Sequence, residues 1–224
     1  MKRGISAVII LLWFGRAQAE KPKDFVELNT AMPDASYDIR YFGSQNFVGE
    51  PIDGYLAPKC LLQREAAESL IRVAKQVAKQ GLRLKIFDCY RPQRAVSHFM
   101  RWAQDLSDKR TKAEYYPNLA KETLVGDYIA ERSGHSRGAT VDLTLEFQQT
   151  NGHWQELDMG SAFDLFDTLS NTDDPRISEL QRQNRQLLKS MMEAGSFENY
   201  SMEWWHYSYQ PQPYPDTYFN FAIE

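Results

Sequence analysis

Two short segments limit the folds open to this 224-residue chain more than anything in its composition. The first runs Ser133-Gly134-His135-Ser136-Arg137-Gly138-Ala139-Thr140-Val141-Asp142; the second, some sixty residues on, is Glu203-Trp204-Trp205-His206. Together they offer two imidazoles and two carboxylates, and they hold two of the four histidines in the chain. A fold that joins them would present His135, Asp142 and His206 as three N/O donors with a fourth position open, the arrangement of a catalytic zinc site. Glu203, just upstream of the last donor, would stand where a base can take a proton from water. The combination reads as that of a zinc peptidase.

Each half alone says less. A loop histidine followed seven residues later by a strand aspartate is more often a hydrogen-bonded pair than a metal site. On a regular strand Glu203 and His206 would face opposite sides, so a bend or bulge is required for both to serve one centre. Without it, the two Trp side chains are core and their polar neighbours are surface.

The N-terminus reads as an export signal. Lys2 and Arg3 precede an apolar run from Ile5 to Phe14, and Ala17-Gln18-Ala19 supplies a small-x-small cleavage site. The run is about half the ~20 residues that span a bilayer, so a lasting membrane anchor is not expected. No cysteine follows it that could carry a lipid. Residues 1–19 are thus expected to be a signal peptide and 20–224 one domain, periplasmic in location. Loss of Lys2, Arg3 and Arg16 would shift the net charge from −4 to −7, which argues against nucleic acid as a partner. Cys60 and Cys89 would then meet an oxidising compartment. One pair is not a disulfide framework, and Cys89, at what reads as a core strand end, is expected to be a buried free thiol.

Along the chain, Leu61 to Gln80 carries Ala66, Leu70, Val73, Ala74 and Val77 at helical spacing, with Gly81 just past the end. Leu82 to Phe87 alternates as a half-buried strand. A second helix is expected after Arg91-Pro92, strands over 140–145 and 204–209, and a third helix from Leu180 to Ala194 closed by Gly195. Asp142 and Thr144 should share one face of their strand. This order, without a regular βαβ rhythm, favours an α+β fold with an antiparallel sheet and packed helices. His98 on the second helix and His153 in a polar turn are expected to lie away from any metal.

A third motif, Asp88-x-Tyr90-Arg91-Pro92, accompanies the first two, and with it the chain resembles the D-alanyl-D-alanine dipeptidases of the VanX type. These belong to the zinc D,D-peptidases, which share a fold with the hedgehog signalling domain. The likeness extends through Tyr41 to Gly54, Met159 to Asp167 and Pro213 to Phe221. The resemblance implies one zinc ion on His135, Asp142 and His206, with Glu203 as general base and Arg91 facing the oxyanion. It further implies Tyr41 and Asp164 at the ammonium of a D-Ala-D-Ala substrate and Ser133 near its carboxylate. Asp88 would hold Arg91 in place. No protein partner is implied. Two other readings stay open: a D,D-carboxypeptidase with a more open cleft, and a zinc-stabilised binding module. Glu203 weighs against the second, because a pure binder needs no base there.

Overall fold

The computed structural model describes residues 21–224; the signal segment expected over 1–19 lies outside them. In chain order the strands and helices are β1 (Phe25–Glu27), α1 (Leu28–Ala31), β2 (Ser36–Tyr37), β3 (Leu61–Gln63), α2 (Arg64–Ala78), β4 (Leu82–Asp88), α3 (Gln93–Gln104), α4 (Lys112–Tyr115), β5 (Thr140–Gln148), β6 (Trp154–Glu156), α5 (Glu179–Ala194), β7 (Phe197–Asn199) and β8 (His206–Tyr209). The main sheet has the order β2-β4-β5-β8-β7, with β6 added to the far end of β5. Its pairings are antiparallel except that the two-residue edge strand β2 runs parallel to β4. The α+β class holds, and the sheet is mixed by that one edge.

Register does most of the work of positioning. Asp88 on β4 pairs with Asp142 on β5, and Asp142 pairs with His206 on β8. Residues directly opposite across neighbouring strands project from the same face, so three polar side chains from distant sequence lie in one row. β5 is buried from Thr140 to Glu146, and helix α2 packs against β4 and α5. Burial of Ala66, Leu70, Val73 and Val77 accounts for the helical spacing of α2. Helix α5 begins with a full capping box, Ser178 and Gln181 each satisfying the other's backbone N–H.

Four expectations need correction or refinement. The helix expected from Leu61 starts at Arg64, because Leu61–Gln63 instead pair antiparallel with β1. A short apolar run carries no periodicity that separates strand from helix. The segment expected as a strand from Trp204 begins its strand only at His206. Residues 203–205 form a turn in which His206 N–H donates to the Glu203 carbonyl at 3.2 Å, and this is the required bend. Gly81 closes α2 with a φ of +75°. Gly195 closes α5 with φ −95°, its missing side chain making room for Val73 and Ser69 rather than for a left-handed turn.

The fourth correction concerns the cysteines. Cys60 and Cys89 form a disulfide, with Cα atoms 5.2 Å apart, and Cys89 is not a free thiol. Tyr90 N–H donates to the Leu61 carbonyl at 2.9 Å, which lays the end of β4 beside the start of β3 and sets the two cysteines side by side. Nothing in a spacing of 29 residues discloses that contact.

Candidate active site

His135 sits in a 3₁₀ turn, Gly134–Arg137, whose first N–H groups need acceptors; Ser133 Oγ accepts from His135 N–H at 3.2 Å. Gly138 ends the turn at φ +80°, and a Cβ there would strike the Phe25 ring. Only glycine therefore lets the chain drop directly from His135 into β5 and Asp142. The β5–β8 register then brings His206 opposite.

The three side chains converge. His135 Nε2 lies 3.2 Å from Asp142 Oδ2, His206 Nδ1 lies 3.1 Å from Asp142 Oδ1, and the two imidazole nitrogens are 3.3 Å apart. One donor atom from each residue falls within 4.8 Å of the others, and no other such group occurs among the described residues. His135 Nδ1 is 2.7 Å from the Cys89 carbonyl. A carbonyl can only accept, so Nδ1 carries the proton and the Nε2 lone pair faces the cluster. Asp142 Oδ1 is buried and finds no donor with hydrogen-bonding geometry. An orphaned buried carboxylate oxygen flanked by two imidazole nitrogens is what an absent divalent cation would leave. The donor set therefore fits zinc in kind and number.

A second row stands behind the first. Arg91 Nε donates to Asp88 Oδ2 at 2.9 Å, while its Nη2 lies 3.6 Å from Asp142 Oδ2. Tyr55 donates its hydroxyl to Asp88 Oδ1 at 2.7 Å. The guanidinium also lies 4.9 Å from the centre of the Tyr41 ring and 5.2 Å from that of Phe99, which fixes its plane. Burial disfavours charge on Asp88, and Arg91 opposes that effect. Tyr55 and the Cys89 carbonyl were not singled out from the sequence. Tyr55 directly follows the family-like stretch ending at Gly54, the only signal that could have pointed to it.

Glu203 has Oε2 3.5 Å from His206 Nδ1. Burial raises its carboxyl to about 7, with the His206 charge opposing and Asp142 adding to the rise. Across the cavity, Tyr41 donates to Asp164 Oδ2 and Oδ1 at 3.0 and 3.2 Å. Burial first, then the charge of Asp142, pushes Asp164 well above the carboxylate range. Asp164 also takes a left-handed backbone, φ 61°, a costly conformation that persists only where the surroundings impose it. Tyr41, Arg91, Ser133, His135, Asp142, Asp164, Glu203 and His206 all line one cavity of about 430 Å³, and Asp88 lies behind it. His98 instead contacts Glu50 and the Asp53 N–H, and His153 lies in the turn before β6.

Comparison with known proteins shows the family. The family model described as D-Ala-D-Ala dipeptidase matches residues 21–224. A D-alanyl-D-alanine dipeptidase of Streptomyces coelicolor is 42% identical over 201 residues, covering 89% of this chain and 98% of that protein. One from Enterococcus faecium is 40% identical with the same coverage. One from Escherichia coli is 32% identical over 193 residues, 86% of this chain and 88% of that protein. The chain belongs to the D-Ala-D-Ala dipeptidase family.

Proposed function

We propose that this protein hydrolyses D-Ala-D-Ala to two D-alanines, with one zinc ion held by His135, Asp142 and His206. The observation that carries the reading is the pairing of Asp164 with Tyr41 on the wall of the cavity that holds the donor cluster. A buried carboxylate there calls for a cation, and a free dipeptide brings one. Zinc in the cluster would supply Lewis acidity to the scissile carbonyl and to water.

The chain's own residues supply the rest. Glu203 takes a proton from the attacking water as the oxygen bonds to the carbonyl carbon. It returns that proton to the nitrogen as the C–N bond breaks. Arg91, held by Asp88, offers fixed charged donors to the oxygen on which negative charge develops. Asp164 and Tyr41 receive the ammonium, and Ser133 stands towards the carboxylate. Because Asp164 is buried, an acylated amine would leave it without its counter-charge, which separates a dipeptidase from a carboxypeptidase acting on longer wall peptides.

The segment over 1–19 and the Cys60–Cys89 disulfide both support export to an oxidising compartment. There the enzyme would meet dipeptide released by wall turnover rather than cytoplasmic precursors, and would recover D-alanine from it. A deletion strain that still grows on external D-Ala-D-Ala would overturn that role. For the activity, the test is D-alanine release from the free dipeptide and from an N-acylated peptide ending in D-Ala-D-Ala. Cleavage of the free dipeptide alone is expected. Cleavage of the capped peptide would make the protein a carboxypeptidase, and cleavage of neither with zinc bound would leave a binding module.

A further inference from the structure

We infer that Arg137 is the charged partner of the substrate's carboxylate, so that the cleft is anionic where the ammonium sits and cationic where the carboxylate sits. The inference rests on the dipeptidase reading and extends it to a residue so far without a role.

Three cations line the cavity: Arg91, Arg132 and Arg137. Arg91 is already neutralised by Asp88 at 2.9 Å and Asp142 at 3.6 Å. Arg132 is exposed and rests its guanidinium 5.0 Å from the centre of the Tyr218 ring. Arg137 differs from both. It is half-buried, and among the described residues no carboxylate lies within ion-pairing distance of it. Its Nε donates to Gln212 Oε1 at 2.6 Å and its Nη1 to the Tyr218 hydroxyl at 3.3 Å. Both acceptors are neutral, so they orient the fork without cancelling its charge.

The third nitrogen, Nη2, is turned towards Gly134, where a Cβ would come within 3.4 Å of it. Glycine at 134 thus keeps open the space between this guanidinium and the turn that carries His135. The position along the cleft also fits. His206 and Ser208 project from the same face of β8, and with Gln210 and Gln212 they line the cavity. The cavity therefore runs from the donor cluster along β8 towards Arg137. Asp164 has a different set of neighbours, Tyr41 and the aromatic group around Phe163. Ser133, whose oxygen already caps His135 N–H, can add a hydrogen bond to a carboxylate but no charge. A pre-oriented guanidinium without a counter-ion, beyond the scissile position, suits a planar carboxylate.

The experiment compares kcat/KM for D-Ala-D-Ala and for D-alanyl-D-alaninamide in the zinc-loaded protein and in Arg137→Gln and Arg137→Lys. The unaltered protein should prefer the free carboxylate. Arg137→Gln should lose roughly 10- to 100-fold on the free dipeptide and change little on the amide, so that the preference collapses. Arg137→Lys should keep part of the preference, and zinc content should be the same in all three. Equal losses on both compounds, or a preference that survives Arg137→Gln, would overturn the assignment while leaving the dipeptidase intact. A protein that cleaves neither compound would overturn both.

Discussion

Tyr41 and Asp164 lie 123 residues apart in sequence, yet the phenol donates to both oxygens of the carboxylate, at 3.0 and 3.2 Å. The pair joins the segment before β3 to the loop before α5, and Arg91 lies over the Tyr41 ring. On the proposed roles, one side chain would tie recognition of the ammonium to the residue facing the oxyanion.

From that pairing, Asp164→Asn should keep its zinc but lose roughly 100-fold in kcat/KM for the free dipeptide. Tyr41→Phe, which keeps the ring under Arg91, should lose about tenfold. Steady-state kinetics with metal analysis of each variant checks both. A variant at 164 with unchanged kinetics would remove the ammonium role.

Glu203 is placed by a turn rather than by a strand, and it approaches the donor cluster through a 3.5 Å contact with His206. Glu203→Gln preserves shape and removes the proposed base. Turnover should fall by about 10²–10⁴ with zinc content unchanged. Substantial residual turnover in a metal-replete variant would assign proton transfer to another group.

Zinc binding should also be visible as stability. A ligand at 100 times its Kd that binds only the folded chain adds about 2.7 kcal/mol, which for a domain of this size raises Tm by roughly 5–10 °C. Chelation should lower Tm by that amount and abolish turnover, and added zinc should restore both. His206→Ala should abolish the zinc-dependent shift. Persistence of the full shift in that variant would place the metal elsewhere.

The cysteines give a prediction that the sequence argument did not. A cross-link closing a 29-residue loop limits the unfolded chain by an amount worth roughly 3–4 kcal/mol. Replacing both cysteines by alanine should lower the denaturant midpoint accordingly. An unchanged midpoint would mean that the bond contributes nothing to the folded chain's advantage.

What could be read in advance, and what could not, divides along physical lines. His135, Asp142, Glu203 and His206 lie in two contiguous runs with a glycine between loop and strand, so local spacing already limits their geometry. Asp88, Arg91 and Tyr41 came only with the family likeness, because their meeting depends on the β4–β5 register and on a loop crossing. The β1–β3 pairing, the Cys60–Cys89 bond and Tyr55 were not legible at all. Each is a contact between segments whose local sequence is equally compatible with other partners. Asp164 illustrates the same limit, since nothing around it signals a left-handed backbone or a buried carboxylate.

Arg185 belongs to that last group and supports the final prediction. Its side chain is fully buried on α5, and burial draws its guanidinium down to about 10. Its direct bonds go to neutral oxygens: Nε to the Met159 carbonyl at 2.6 Å, Nη1 to that of Asn171 at 2.5 Å, and Nη2 to that of Leu169 at 3.0 Å. These carbonyls bracket Asp164 on both sides, and Trp204 adds a bond to Ser161 at 2.9 Å. The loop is therefore gripped at both ends, which explains how Asp164 can hold φ 61°. Arg185→Met would leave the Met159 and Leu169 carbonyls without a donor, while that of Asn171 keeps the Asp174 N–H at 3.0 Å. At about 1–3 kcal/mol for each orphaned acceptor, urea unfolding should show a loss of at least roughly 2 kcal/mol. Arg185→Lys should recover little, because one ammonium cannot reproduce the spread of the fork. Whatever fraction remains folded should discriminate less between the free and the N-acylated substrate, since the carboxylate proposed to recognise the amine would no longer be held. Full discrimination in a destabilised Arg185→Met protein would show that Asp164 keeps its place without the clamp.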